Sequence, residues 1–153
     1  MKRIILLAFL CTTTLVMAQR INHVQEAIAN YDYEAALTLI AKEKPTIPLL
    51  LQKGKAQRGL GMNTEALSTY QEIIANDTAN TRAYIEAAEC CRSLAKYQQA
   101  LKYYEQALDL NPENKYVRIQ YIGLLLSLQK FQDALGAVSY THLRAHETRH
   151  ELV

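Results

Sequence analysis

An Ala-Leu pair recurs along this chain at a fixed interval of 34 residues, beginning at Ala66, Ala100 and Ala134. An aromatic residue, Tyr97 or Phe131, stands three positions before the second and third copies. A period of this length is typical of tandem helix pairs. Because one pair cannot bury its apolar face alone, neighbouring pairs must stack, and stacking leaves an extended concave surface. The spacing therefore predicts an all-α interaction scaffold and not an enzyme.

Residues 81–114 contain the fullest copy of the repeat. Its pattern positions are Tyr84, Ala87, Ala88, Cys91, Leu94, Tyr97, Ala100, Leu101, Tyr104, Ala107, Leu108 and Pro112. This copy resembles the tetratricopeptide repeat, in which a large residue of the first helix, here Tyr84, precedes a small one, here Ala88, that lets the second helix approach. Pro112 stands at the usual helix stop of that family, since proline lacks the backbone N–H. The resemblance implies helical hairpins stacked in a right-handed superhelix, with about three and a half repeats visible.

The repeat copies divide the chain into predicted segments. A degenerate first copy has a shortened connection through Pro45 and Pro48, because its alanine, Ala36, lies only 30 residues before Ala66. The predicted segments are a signal peptide at 1–18, a degenerate first repeat at 19–46, full repeats at 47–80 and 81–114, a truncated repeat at 115–137 and an artefactual tail at 138–153.

The N-terminus has the composition of a signal peptide. Lys2 and Arg3 precede an apolar run at 4–11, and residues 16–18 form a small-residue site of the kind that signal peptidase cuts. The apolar run is too short to span a bilayer as a mature anchor. The alternative to a signal peptide is a buried first helix. The Ala18-Gln19 junction looks like those of Gram-negative bacteria, which implies the periplasm or cell envelope.

The C-terminal residues interrupt the last repeat in the middle of a helix. Residues 138–148 match, codon by codon, the translation of a transposase-type sequencing adapter, so we expect the natural protein to continue differently after Ala137. The same tail contains His146-Glu147-Thr148-Arg149-His150, which fits the HExxH pattern of zinc proteases. That pattern counts only in its structural context, and no third ligand follows it. We therefore expect neither a metal site nor protease activity.

Charge, cysteine content and missing motifs argue against other classes of function. Basic and acidic residues are equal in number between positions 19 and 137, which gives no basis for binding nucleic acid or an anionic membrane. Cys90 and Cys91 are adjacent on a predicted helix, where their side chains diverge too far for a disulfide. We expect Cys91 to fill a packing position and Cys90 to be partly exposed. Because phosphate-binding loops and nucleophile motifs are missing, we expect no cofactor, no small-molecule substrate, and membrane contact only through the signal peptide before cleavage.

The resemblance to tetratricopeptide repeats implies that a ligand lies along the first helix of each pair, facing the concave groove. The residues that map to this groove are Leu51, Lys55, Arg58, Arg82, Ile85, Glu89, Arg92, Tyr116 and Ile119. They combine basic and apolar side chains, which suit an extended peptide or a helix that carries acidic groups. The alternative is that these charges only solvate an exposed helix face.

Two functions are consistent with these observations. The first is a non-catalytic scaffold of the periplasm or cell envelope, whose protein or peptide partner the sequence does not identify. The second is a regulatory repeat region of a larger exported sensor or enzyme whose C-terminal domain is missing.

A long DNA read across the natural locus, from the codon of Ala66 past that of Ala137, tests the adapter interpretation. We expect the codons for residues 138–153 to be replaced by further repeat sequence. A genomic copy of the tail would contradict this expectation, and zinc binding at His142, His146 and His150 would then need to be titrated.

Overall fold

The computed structural model describes residues 21–138, which form helices joined by short connections. The helices are 21–29 (α1), Tyr33–Ile40 (α2), Ile47–Gly59 (α3), Asn63–Asn76 (α4), Thr81–Ser93 (α5), Tyr97–Leu110 (α6), Lys115–Ser127 (α7) and 131–138 (α8). The described range contains no strand. The predicted all-α fold of helical-hairpin repeats is thereby confirmed. The predicted signal peptide at 1–18 and the histidine motif at 146–150 lie outside the described residues.

Each helical hairpin turns through one residue with a left-handed backbone. These residues are Tyr31, Gly61, Ala95 and Gln129, with φ values of 60°, 76°, 55° and 59°. In the α5–α6 turn, the N–H of Lys96 donates to the carbonyl of Cys91 at 2.8 Å, and the N–H of Ala95 donates to that of Arg92 at 3.0 Å. Equivalent bonds follow α1, α3 and α7. A left-handed residue allows the first helix to close in this way, so the second helix starts in a fixed direction.

The chain divides into two compact units, Met1–Asn76 and Asp77–Val153. The described part of the first unit contains α1 to α4. Its buried cluster joins the first three of these helices through Val24, Ile28, Ala36, Ile40, Leu49 and Ala56. Helix α2 has only eight residues, whereas α4 and α6 have 14 each. The connection through Pro45 and Pro48 was predicted to be shortened, but it has six residues, against four at 77–80 and four at 111–114. The shortening of the first copy lies in its second helix instead.

The α3–α4 hairpin of the first unit packs closely because α3 carries a glycine in its middle. A Cβ atom added at Gly54 would lie 2.5 Å from Cζ of Tyr70, whose side chain is fully buried. Real Cβ atoms do not approach another atom so closely, so the tyrosine ring occupies the space that a side chain at position 54 would need.

The second unit contains α5 to α8, with α5 packed against α6 and α6 against α7. Tyr84 and Ala88 of α5 are both buried, as the repeat pattern predicts, and the Tyr84 ring lies 6.3 Å from that of Tyr103 on α6. The side chains of Asn80 and Asn114 cap α5 and α7 in the same way, each accepting a 3.1 Å hydrogen bond from the backbone N–H three residues on. Both first helices of this unit therefore begin at fixed positions.

The expectation that Cys90 is partly exposed was wrong. Cys90 and Cys91 are both fully buried, and neither forms a disulfide with a described residue. Helix α5 buries six of its thirteen residues, so it is covered on more than one side. Cys90 is therefore covered, although it lies next to the expected core face and not on it. Burial raises the pKa of the Cys91 thiol, although nearby Lys96 lowers it. The reactive thiolate is therefore disfavoured, which suits a packing role for Cys91.

No helix between residues 21 and 138 is both long enough and apolar enough to cross a bilayer.

Alanine substitutions at two glycines test the packing of the α3–α4 hairpin. Gly54→Ala forces the Tyr70 ring to move, so we expect a loss of about 1 to 3 kcal/mol in the free energy of unfolding. Gly123→Ala is the matched control on α7, where an added Cβ has no neighbour within 4 Å, and better helix propensity should raise stability by up to about 1 kcal/mol. Chemical denaturation of both variants measures the difference. Equal stabilisation by the two substitutions would contradict the close approach of Tyr70.

Candidate functional site

A cluster of polar side chains lies where three helices of the second unit meet. Glu89 and Arg92 are one turn apart on α5, Tyr116 and Gln120 are about one turn apart on α7, and Tyr104 lies in the middle of α6. Residues three or four apart share a helix face. The capped starts of α5 and α7 place these two faces next to each other, as the hydrogen bonds between them demonstrate.

Arg92 is the centre of this cluster. Its Nη1 donates to Gln120 Oε1 at 2.6 Å and contacts Tyr104 OH at 3.3 Å and Glu89 Oε2 at 3.3 Å. The side chains of Arg92 and Glu89 are 38% and 17% exposed, so the ion pair is partly shielded from water. Its hydrogen bond with Tyr104 contributes most to raising the pKa of Arg92, and the charge of Glu89 adds to this effect.

Tyr104 connects the buried layer of the hairpin to the charged pair. Its hydroxyl donates to Glu89 Oε1 at 2.6 Å, and the residue itself is fully buried. Burial raises the pKa of Tyr104 most strongly, and the hydrogen bond to Glu89 raises it further. The tyrosine therefore remains a neutral donor throughout the physiological pH range. Tyr116 adds a longer contact of 3.4 Å to the same carboxylate oxygen.

One edge of the Arg92 guanidinium remains available. Its Nη2 and Nε atoms make no hydrogen bond to any residue between positions 21 and 138. A groove of about 540 Å³ opens beside them, lined by Glu89, Arg92, Ser93, Tyr97, Gln120, Gly123, Leu124 and Ser127. The groove therefore contains hydrogen-bond donors that a ligand could use, although Glu89 already compensates the charge of the arginine.

The α7 side of this region is apolar and exposed. Tyr116, Ile119 and Leu126 expose 54%, 66% and 48% of their surfaces. They share a helix face with Gly123, which has no side chain and meets no neighbour. Four successive positions on one face of α7 thus present apolar surface or bare backbone to solvent, which is the composition of many protein-interaction surfaces.

Six of the predicted groove residues lie in the second unit, and the structure brings three of them together. Glu89, Arg92 and Tyr116 form one hydrogen-bonded cluster. Ile119 lies on the same helix as Tyr116. Arg82 is exposed and Ile85 half-buried on α5, and Arg82 makes no hydrogen bond to the members of the cluster. That these residues bind a partner remains a prediction.

The other three predicted groove residues lie on α3 of the first unit. Lys55 is exposed, whereas Leu51 and Arg58 are half-buried. They belong to a separate compact unit, whereas the cluster around Arg92 lies wholly in the second unit.

Two members of the cluster were not among the predicted groove residues. Tyr104 was identified only as a position of the repeat pattern, which agrees with its buried ring but omits its hydroxyl. Gln120 follows the predicted position Ile119, and no motif distinguishes it from a solvated glutamine. The sequence did contain a signal for the polar role of Tyr104, since a buried tyrosine hydroxyl needs a hydrogen-bond partner.

The described residues offer no arrangement for metal chemistry. Among positions 21–138, no group of three or more His, Cys, Asp or Glu side chains is placed to hold a metal ion. The side chains around Arg92 are hydrogen-bond donors and acceptors that satisfy one another only in part. The donors that remain available suit the binding of a ligand.

Comparison with sequence families gives a consistent result. Two tetratricopeptide-repeat family models match the chain, one at residues 51–115 and the other at residues 92–139. None of the curated protein sequences compared with the chain matches it significantly.

Solved structures similar to this chain are also tetratricopeptide-repeat proteins. The first such domain of human RPAP3 has a TM-score of 0.67 and 19% identity, covering 74% of this chain and 93% of that one. The first such domain of Spaghetti, bound to the HSP90 peptide SRMEEVD, has a TM-score of 0.69 and 21% identity over 73% and 92% of the two chains. A repeat protein from Parabacteroides merdae has a TM-score of 0.71 and 24% identity over 78% and 50%. At these identities the similarity establishes the fold alone.

The raised pKa of Tyr104 predicts a specific pH dependence of stability. Tyr104→Phe removes a hydrogen bond to a carboxylate, so we expect a loss of about 1.5 to 3 kcal/mol at pH 8. Because the folded-state pKa lies above the unfolded value of about 10, the contribution is complete below pH 10 and is lost as the pH rises beyond it. The gap in unfolding free energy between wild type and variant should therefore shrink above pH 10.

The control for this measurement is Tyr97→Phe, at an exposed tyrosine without a hydrogen bond to the described residues. This variant should match wild type at every pH. A gap for Tyr104→Phe that is the same at pH 8 and pH 11 would refute the assigned role of its hydroxyl.

Proposed function

Because the chain belongs to the tetratricopeptide repeat family across residues 51–139, we propose that it is a non-catalytic scaffold that binds a peptide or helix of a partner protein. The site is the groove between α5 and α7 in the second unit. The observation that carries the proposal is the exposed apolar face of α7, at Tyr116 and Ile119, directly beside the Glu89–Arg92 pair.

The contacts of the cluster indicate how the partner is recognised. Apolar side chains of the partner pack on Tyr116 and Ile119, and burial of this exposed surface drives association. An acceptor of the partner, such as a carbonyl or a single carboxylate, takes the available edge of Arg92. A strongly acidic segment is disfavoured because Glu89 lies within 3.5 Å of the same guanidinium.

One structural relative supports a peptide as the kind of ligand. Spaghetti was solved with an HSP90 peptide bound to its first tetratricopeptide-repeat domain. The present chain differs from domains that clamp chaperone tails, because Leu51 and Lys55 stand where such clamps have their first polar pair. We therefore propose the peptide-binding mode without that particular ligand.

We place this activity in the periplasm or cell envelope of a Gram-negative bacterium. The proposal rests on the basic start, apolar run and small-residue site of residues 1–18.

Selection from a peptide display library, followed by fluorescence anisotropy with the selected peptide, tests the proposed groove. Tyr116→Ala and Ile119→Ala should each weaken binding by about fivefold or more, since exposed apolar anchors dominate such interfaces. Tyr31→Ala is the control, because Tyr31 is 79% exposed but lies in the first unit. A selected peptide whose affinity is unchanged in both groove variants, or a library that gives no binder, would contradict the proposal.

A further inference from the structure

The first unit contains a cavity that arises from the short second helix of the first repeat. Helix α2 ends at Ile40, after eight residues, where α4 and α6 continue to 14. The end of α2 thus lies beside α3. A cavity of about 350 Å³ lies there, lined by Leu37, Ile40, Ala41, Glu43, Lys44, Pro45, Leu49, Leu50, Lys53 and Gln57. Its size is at the lower end of the range for small-ligand pockets.

The walls of this cavity are mostly aliphatic. Ile40, Leu49 and Leu50 expose 9%, 3% and 6% of their surfaces, so they belong to the packed core of the unit. Their aliphatic groups offer a hydrocarbon chain a surface without polar groups. The walls thus fit the apolar part of a ligand.

Gln57 contributes a hydrogen-bond donor to the lining of the cavity. Gln57 is only 7% exposed, and its Oε1 accepts a 2.8 Å hydrogen bond from the hydroxyl of Thr69. The side-chain NH₂ of Gln57 makes no hydrogen bond to any residue in the described part of the chain. This NH₂ group is therefore available to an acceptor that is bound in the cavity.

The charged groups of the cavity have a net positive charge. Lys44 and Lys53 line it, and neither forms an ion pair with a residue between positions 21 and 138. Glu43 is the single acidic residue among the lining residues. Two ammonium groups and the amide donor of Gln57 thus line the cavity together with one carboxylate, which favours an anionic acceptor over a cation.

We propose that this cavity binds an aliphatic monocarboxylate, such as a medium-chain fatty acid. The hydrocarbon chain lies against Leu37, Ile40 and Leu49. The carboxylate accepts a hydrogen bond from the Gln57 NH₂ and pairs with Lys53. The site lies wholly in the first unit and goes beyond the peptide-binding function proposed for the second.

Isothermal titration of the full chain with decanoate tests this site. Decanoate should bind at least about tenfold more tightly than decanol, which has the same chain but no charge. Equal affinity for the two compounds would overturn the proposal. A peptide ending in leucine with a free carboxylate is the competitor: if it binds more tightly than decanoate at this cavity, the occupant is a peptide terminus and the proposal is wrong.

Single substitutions separate the roles of the lining residues. Lys53→Met and Gln57→Leu should each weaken decanoate binding by about tenfold, whereas Glu43→Gln should strengthen it. Lys102→Met, at an exposed lysine of the second unit, is the matched charge control and should leave the affinity unchanged. Equal losses in Lys53→Met and Lys102→Met would indicate non-specific attraction and overturn the proposal.

A second measurement remains decisive if Gln57→Leu fails to fold. In wild type, the side-chain amide NMR signal of Gln57 should shift on addition of decanoate and stay in place on addition of decanol. A Gln57 signal that decanoate does not move would overturn the proposed hydrogen bond.

Discussion

The turn within each hairpin depends on a single residue in the left-handed backbone region. Its position fixes where the first helix closes and in which direction the second one leaves. Gly61, Ala95 and Gln129 recur at the 34-residue interval of the chain, and Tyr31 precedes Gly61 by 30. Three of the four are not glycines, although this conformation is unfavourable for residues with a Cβ. The packing of the helix pairs must offset that strain, so the turns and the buried faces stabilise the same arrangement.

The charged cluster of the second unit illustrates how that arrangement produces a surface. Helix α6 contributes Tyr104, whose ring is buried and whose hydroxyl reaches the groove between α5 and α7. The Tyr104 hydroxyl thereby holds Glu89 beside Arg92. The carboxylate compensates much of the positive charge of the guanidinium before any ligand binds. An arginine compensated in this way gives direction to a bound acceptor more than it gives long-range attraction. In the proposed binding mode, affinity then comes from the apolar face at Tyr116 and Ile119, in agreement with the neutral balance of the repeat region.

The fold was predictable from the sequence because repeat spacing and helix packing depend on residue size. Tyr84 and Ala88 followed directly from the repeat pattern. Glu89, Arg92 and Tyr116 could be mapped to one groove for the same reason. The network itself could not be predicted, because it depends on rotamers: Gln120 is one position, or about 100° around the helix, from the mapped Ile119. The burial of Cys90 was missed because a single face was assumed for a helix that is covered on more than one side.

Both candidate sites occur where the chain departs from its own repeat. In the 34-residue register, Glu89 corresponds to Lys55 and Gly123, and Arg92 corresponds to Arg58 and Leu126. The acidic and basic pair therefore occurs in one copy only, and the next copy replaces it with bare backbone and an apolar side chain. The first copy departs in length, since α2 is short, and a cavity lies between residues of α2 and α3 there. Regular positions must satisfy the packing of neighbouring helices, so recognition is confined to the positions and segments that packing leaves free to vary.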